Sequence, residues 1–402
     1  MRFALSVVLV AAPALAFADD GGKTELPKPD TKAVPILGGS AAGNKWPDAV
    51  AVEYGGVQEC TGTLVAPTVV VTAGHCVIGG APNSVLVGAS ALSRASEGER
   101  IAVAKSIEYP SSQSSIDIGV LVLKVPSAKV EPRAIASGWA KWDIVNNAAV
   151  EFVGFGTTDR NGMVETDELL EVQSTITDYN CTTSDGCNTP AKPDGELGAG
   201  GGGIDTCPGD SGGPMYLLTD YGNFLAGVTS RSYDNATYAC GEGGIYGRPD
   251  KIVDWIEEQT LVKVTRGPTP TIADALDVVV GNPIEAKIAP NDPKSNDHTF
   301  TIKTQPGYGK AAVNEDGTLR VCGSKEFFGK DKVTVTVTDA NNPTRTVDAT
   351  FPINILEGDP PDDCDETAFG DDGGGCCSAS RDARGSILLA AFVLLTLRRR
   401  RR

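Results

Sequence analysis

The chain has 402 residues, too many for one average domain of about 150, so two or three units are expected. Its 47 glycines exceed the usual share of about 7%, which suits short strands joined by tight turns. With 52 acidic against 35 basic residues the formal charge is -17. That argues against a nucleic-acid surface, because phosphate contacts need clustered Lys and Arg, and it favours cationic substrates.

Residues 1–18 join Arg2 to an apolar run from Phe3 to Ala12 and end in Ala16-Phe17-Ala18, the pattern of a secretory signal peptide cut after Ala18. The ten cysteines then belong to an oxidising compartment. Residues 19–35 are polar, carry Pro27, Pro29 and Pro35, and read as a flexible pro-segment.

From Ile36 to about Leu261, β-branched runs alternate with glycine-rich punctuation: Ala49 to Tyr54, Thr68 to Thr72, Val85 to Gly88, Ile101 to Ala104, Ile118 to Lys124, Ala149 to Phe155 and Phe224 to Thr229. This spacing predicts an antiparallel barrel or sandwich. After Pro249, with Asp250 as N-cap, Ile252, Val253, Trp255 and Ile256 share one helical face, and Asp254, Glu257 and Glu258 lie outside it. One short helix therefore closes the domain, assigned to residues 36–262.

Residues 267–357 hold further strand-like segments at Asp277 to Val280, Thr299 to Thr304, Thr318 to Val321, Lys332 to Thr338 and Thr346 to Ile355, which predict a small β-sandwich. Residues 358–375, rich in Asp, Gly and Pro, cannot bury enough apolar surface to fold and read as an acidic linker. Residues 376–402 begin with Cys376-Cys377, continue through an apolar stretch from Ile387 to Leu397 and end in five arginines, Arg398 to Arg402. That stretch is too short for a bilayer core, which needs about 20 residues. The segment resembles the Gly-Cys, apolar, poly-Arg sorting tails of myxobacterial surface proteins. The resemblance implies cleavage and attachment near the cysteines by processing machinery, a secreted or cell-surface (outer-membrane) location, and membrane contact through the tail alone.

The chemistry concentrates in three places. His75, in TAGHC, follows a buried-looking strand, and an imidazole is able to accept a proton from a weak nucleophile and return it to a leaving group. Ser211 sits in CPGDSGGP, where Gly209, Gly212 and Gly213 permit a tight turn that aims the hydroxyl outward and backbone N–H groups at a developing oxyanion. Asp117 heads the apolar run SSIDIGVLVL, and its burial requires a donor such as an imidazole N–H. Each feature alone has a purely structural explanation: a core histidine, a glycine turn, a solvated strand end. Read together in this chain order, they point to nucleophilic acyl transfer.

The motifs ILGGSAAGNKWPDAVAV from Ile36, CTGTLVAPTVVVTAGHC ending at Cys76, DIGVLVL from Asp117 and GDSGGP from Gly209 resemble the trypsin-like serine endopeptidases of the chymotrypsin fold. FVGFGTT from Phe152 and DKIVDWIEE from Asp250 onward echo the same family. The resemblance implies an all-β fold: two six-stranded antiparallel barrels and a short C-terminal helix, here followed by the sandwich. It implies a catalytic triad of His75, Asp117 and Ser211, with the N–H groups of Gly209 and Ser211 as oxyanion hole and no metal or organic cofactor. It places Asp205, six residues before Ser211, at the base of the substrate pocket, where a carboxylate pairs with Arg or Lys. Ser230, Ser232 and Gly244 fall on the pocket wall, and Ser232 is expected to narrow the mouth.

The resemblance also implies a zymogen in which the freed amine of Ile36 pairs with Asp210. Because Pro35 precedes Ile36, a separate activating protease is expected. Disulfides Cys60 to Cys76 and Cys207 to Cys240 are implied likewise. Cys181 and Cys187 are expected to pair locally, in a loop shorter than the family's usual one, while the pairing of Cys322 with Cys364 stays open. Zinc is the alternative for clustered cysteines, and disulfides are favoured because no second histidine lies near them.

The second domain, through TIKTQPGYGKAAVNEDGTLRVCGSKEFFGKDKVTVTVTD, resembles bacterial immunoglobulin-like or cadherin-like surface modules. NDPKSNDH from Asn291 raises calcium against the commoner solvated Asx-rich turn, with His298 exposed. The expected function is a secreted, surface-attached bacterial serine endopeptidase acting on proteins or peptides after Arg or Lys. The alternative is a catalytically inactive protease-like scaffold serving adhesion or binding.

Overall fold

The computed structural model of the chain describes residues 36–78 and 80–358. The segments expected to be signal peptide and pro-segment, residues 359–375 of the expected linker and the expected sorting tail, with Cys364, Cys376 and Cys377, lie outside the described residues.

After a two-residue strand β1 (Ser40–Ala41), six strands follow: β2 (Ala49–Tyr54), β3 (Val57–Ala66), β4 (Val69–Thr72), β5 (Ser84–Val87), β6 (Glu99–Glu108) and β7 (Gly119–Leu123). They close into an antiparallel barrel in the order β2-β3-β4-β7-β6-β5. Its interior is filled by Val50, Val52, Leu64, Val70, Val85, Val87 and Leu121. The β2–β3 connection is the pair Gly55-Gly56, both at positive φ (63° and 89°), as a two-residue turn matched to strand twist requires.

The second barrel comprises β8 (Ala149–Gly154), β9 (Leu170–Asp178), β10 (Glu196–Ala199), β11 (Pro214–Thr219), β12 (Gly222–Ser232) and β13 (Gly244–Gly247). The order β9-β10-β13-β12-β11-β8 closes through a β8–β9 pairing, and β1 adds to β9. Phe152 stacks on Tyr246 at 5.1 Å in its core, among Ile176, Leu197 and Met215. The barrels are joined by a half-buried ion pair, Asp48 with Arg133 at 2.6 Å, capped by the Trp46 and Tyr216 rings stacked 4.4 Å apart.

A single turn at Pro249–Lys251 precedes helix α1 (Val253–Thr260). Val253 and Ile256 are buried as expected, but two details differ from the sequence reading. Asp250 does not cap the helix; both its carboxylate oxygens are taken by Arg248. Glu257, expected outside, is buried and held by Lys263 and Arg266 from the segment that follows. Among the described residues no helix is long and apolar enough to cross a membrane.

The C-terminal domain is a sandwich of two four-stranded sheets. One contains β14 (Thr271–Ile272), β16 (Ile284–Ala289), β19 (Thr318–Gly323) and β18 (Gly309–Val313). The other contains β15 (Leu276–Val279), β21 (Thr346–Leu356), β20 (Gly329–Asp339) and β17 (His298–Thr304). β15 runs parallel to β21; the other pairings are antiparallel. In β20 the period-two pattern is strict: Val333, Val335 and Val337 are buried, with threonines between them turned outward.

The NDPKSNDH stretch forms the Asx turn expected of it, with Lys294 N–H donating to Asp292 Oδ1 at 2.9 Å and Asn291, Pro293, Lys294, Asn296 and Asp297 exposed, but His298 is not exposed as expected. The Asp292 side chain is buried, paired with Arg345 at 3.0 Å and 3.5 Å from His298 Nε2, and the His298 side chain is 4% exposed beneath Trp139. With Asn291 bonded to Thr269, these polar groups serve the packing of the sandwich onto the barrels.

Candidate active site

His75 stands in the turn after β4, and Asp117 immediately before β7, two neighbouring strands of the first barrel. Gly74 makes their approach possible, since a Cβ there would collide with Ser112 and reach within 2.9 Å of Asp117 Oδ1. The backbone N–H of His75 donates to Asp117 Oδ1 at 2.9 Å, and ring Nδ1 lies 2.7 Å from Oδ2. Ser230, in β12 of the second barrel, donates its hydroxyl to the same Oδ2 at 2.7 Å. Burial by itself would raise the Asp117 carboxyl, but the bonds from His75 and Ser230 overcome that and hold it below the ordinary carboxylate range. An ionised carboxylate is acceptor-only, so Nδ1 carries the proton and Nε2 keeps a free lone pair. The His75 side chain is 39% exposed.

Ser211 occupies the turn before β11. Its carbonyl accepts from Thr61 N–H of β3 at 2.8 Å and lies 3.7 Å from Cys76 Sγ, in the Cys60–Cys76 disulfide. A ring nitrogen of His75 and the two sulfurs of that disulfide lie within 4.8 Å of one another, so the bridge spans from the imidazole to the Ser211 backbone. Both cysteines being oxidised, this group offers no thiolate to a metal. Among the described residues no hydrogen bond joins Ser211 Oγ to the imidazole, a link that commonly tightens only when substrate is bound.

The turn itself is pinned. Pro208 C=O accepts from Thr157 N–H at 2.8 Å, Gly209 C=O from Gln58 and Thr61 side chains at 2.9 Å each, and Asp210 C=O from Gly213 N–H at 2.7 Å. Each trans peptide turns its N–H away from its carbonyl. The N–H groups of Gly209 and Ser211 have no acceptor among the described residues. Gly212, at φ +81°, is required because a Cβ would strike Thr72 Oγ1 and the Thr61 carbonyl.

A cavity of about 210 Å³ runs beside Ser211, with Asp205 in its lining. Thr229 to Ser232, Cys207, Pro208, Ala239 and Gly244 form its walls, tied together by the Cys207–Cys240 disulfide. Asp205 is buried; it accepts from Thr206 N–H through Oδ1 and from Gly241 and Gly243 N–H through Oδ2, each at 2.9 Å. Desolvation outweighs these donors and pushes its carboxyl up to about 6. Gly244 leaves this space open: a Cβ there would sit 2.9 Å from the Arg231 carbonyl and 3.7 Å from Asp205 Oδ1. Ser232 bonds the Ala239 carbonyl at 2.8 Å. Ser230, grouped with the pocket wall by the sequence, does line the cavity, but its hydroxyl serves Asp117.

The Asp210 carboxylate is fully buried, accepting from Gly156 N–H at 2.7 Å and Cys207 N–H at 2.8 Å. It has no cationic partner among the described residues, and burial pushes its carboxyl up to about 7. The Ile36 side chain is fully buried in the second barrel's core. In the uncut chain its nitrogen belongs to a peptide bond, and no ion pair joins it to Asp210. Cys181 and Cys187 form their disulfide. Sequence reasoning missed Thr157, Gln58, Arg231 and Glu196, since their contacts depend on residues far away in the chain.

The Trypsin family profile matches residues 36–256, and the Bacterial Ig domain profile matches residues 267–352. The chain is 33% identical over 212 residues to a protein named Trypsin from Saccharopolyspora erythraea, covering 51% of this chain and 88% of that one. It is 30% identical over 247 residues to human Serine protease 56, covering 58% and 40%. It is 29% identical over 242 residues to Glucanase inhibitor protein 3 of Phytophthora infestans, covering 57% and 89%.

Proposed function

We propose, from the premise that the chain belongs to the trypsin family of serine proteases and carries a bacterial immunoglobulin-like domain behind its protease domain, that it is a secreted, surface-attached endopeptidase cleaving after Arg or Lys. The observation that carries this reading is the imidazole of His75, fixed by Asp117 and Ser230, in the same locality as Ser211, whose neighbouring cavity contains the Asp205 carboxylate.

His75 Nε2 takes the Ser211 proton as Oγ attacks the peptide carbonyl, and Asp117 holds the tautomer and stabilises the imidazolium. The oxyanion is received by the N–H groups of Gly209 and Ser211, where losing one such donor costs about 10²–10³ in kcat. The imidazolium then protonates the leaving amine, and water repeats the sequence on the acyl-enzyme. Asp205 pairs with the guanidinium or ammonium of the residue preceding the cleaved bond. The buried Asp210 carboxylate, held only by backbone N–H groups, supports a zymogen in which another protease cuts before Ile36 and so supplies it with an amine.

A fluorophosphonate probe is expected to label the processed protein and not its Ser211→Ala variant, and matched peptides ending in Arg, Lys, Phe and Ala should be cut in favour of the first two. The relative named as a glucanase inhibitor motivates a second reading, a protease-like scaffold that binds without hydrolysis. Absence of labelling on processed protein would decide for that scaffold, and equal cleavage of all four peptides would refute the assignment to Asp205.

A further inference from the structure

Ser230 lies at an irregularity of β12: Thr229 is opposite Tyr246 and Arg231 opposite Ile245, so Ser230 has no partner on β13. A bulge of this kind re-aims side chains beside it. Here it lets Arg231 fold back on its neighbour. Arg231 Nη1 donates to Ser230 Oγ at 3.0 Å and to Glu196 Oε1 at 2.8 Å, and Nη2 donates to Glu196 Oε2 at 3.0 Å and Gly186 C=O at 2.8 Å.

Glu196 is fully buried at the head of β10 and also accepts from Asn188 N–H at 2.8 Å. Asn188 Nδ2 donates to the carbonyl of Ser115, two residues before Asp117, at 2.7 Å. Gly186 and Asn188 flank Cys187, the closing residue of the short Cys181–Cys187 loop. That loop is therefore a bracket holding a guanidinium against Ser230.

A serine hydroxyl has one proton and two lone pairs. Donation into Ser230 Oγ by Arg231 occupies an acceptor site and polarises the O–H, leaving its proton directed to Asp117 Oδ2. We propose that Arg231 is a positioning residue that acts on Asp117 and His75 through the Ser230 hydroxyl, with Glu196 and the disulfide loop as its holder. The proposal rests on the role given to His75, Asp117 and Ser211 above.

The test is a double-mutant cycle on processed full-length protein, with a peptide 4-nitroanilide ending in Arg as substrate. Arg231→Gln is made together with Glu196→Gln, so that no buried carboxylate loses its cation, and thermal unfolding monitors the fold. This pair is expected to lower kcat about tenfold, as is Ser230→Ala alone; both residues line the cavity, so kcat and not KM is the readout. Combining them should lower kcat no further, whereas independent effects would multiply to about a hundredfold.

The Nδ1–H proton resonance of His75, one of only two histidines, is followed in the Ser211→Ala protein as a second measurement. It should shift in the same direction in both variants and no further in their combination. A multiplicative cycle, or a His75 resonance indifferent to Arg231, overturns the proposal. Absence of Ser211-dependent hydrolysis would instead overturn the parent reading, and the resonance would still decide the link from Arg231 to His75.

Discussion

The indole N–H of Trp139 donates to the carbonyl of Pro290 at 2.7 Å, so a residue from between the two barrels is hydrogen-bonded within the C-terminal sandwich. Trp139 is fully buried among the sandwich's core residues, with Arg345 over its ring at 5.5 Å. Trp142 bonds the Thr346 carbonyl at 2.9 Å, and Asp143 pairs with Lys294 at 2.6 Å. The immunoglobulin-like domain thus completes its core with protease side chains. Trp139→Ala should cost about 3–5 kcal/mol. Calorimetry should resolve one transition in the parent protein and two in the variant; a single transition in both would refute the coupling.

Asp205 gives a pH dependence with a definite sign. Its carboxyl is pushed up to about 6 by burial, so acidification through that value removes the charge proposed to receive a guanidinium. KM for an Arg-ended peptide should rise by up to about tenfold per pH unit below 6, while kcat changes less, because a bound cation lowers the carboxyl again. Asp205→Ser should abolish this KM dependence and leave a flat, weak preference. Initial-rate kinetics between about pH 4 and 8, roughly two units on either side of the transition, check it.

Much of this was legible in the sequence where one local rule sufficed. The alternation of Val333, Val335 and Val337 specifies a half-buried strand by itself, and GDSGGP specifies a turn that only glycines at positive φ accommodate. The strands Glu196–Ala199 and Gly244–Gly247 were not legible: each has four residues, half of them glycine in the second, and their ladder partners supply the order. Glu257 looked like a solvent-facing helix residue because Arg266, its partner, lies beyond the helix. His298 looked exposed because Trp139, which covers it, stands in another domain. In the same way, the link from Ser230 to Asp117 joins two barrels and leaves no trace in local spacing.

Asp210 predicts a stability difference between cut and uncut chains. In the uncut chain its carboxyl is raised to about 7 from an ordinary 3.8, so the folded form holds a proton that the unfolded chain has released. Stability from this group is present at low pH and is lost as pH climbs from about 4 to 7. A free Ile36 amine beside the carboxylate would lower it again and cancel that loss. The melting temperature of the chain cut before Ile36 should therefore exceed that of the uncut chain by a margin that widens from pH 5 to 7.5, at about 2–4 °C for every kcal/mol. Asp210→Asn should raise the melting temperature of the uncut chain at pH 7.5. A margin independent of pH would refute the switch.

Gly244 separates the room in the pocket from the charge in it. A Cβ at this position stands 3.7 Å from Asp205 Oδ1, ordinary contact, but 2.9 Å from the Arg231 carbonyl, which belongs to a strand and yields little. Gly244→Ala should therefore displace β12 where Ser230 and Arg231 lie, or push the new methyl toward the cavity. Either movement reduces the space for a long side chain without altering the Asp205 carboxylate. The expected result is an increase in KM of about tenfold for Arg-ended peptides, a smaller change for Ala-ended ones, and a loss of about 1–3 kcal/mol in stability from overpacking. Parallel kinetics on the two peptides check the order of these effects, and an equal loss on both would show that Gly244 supports the strand rather than the pocket.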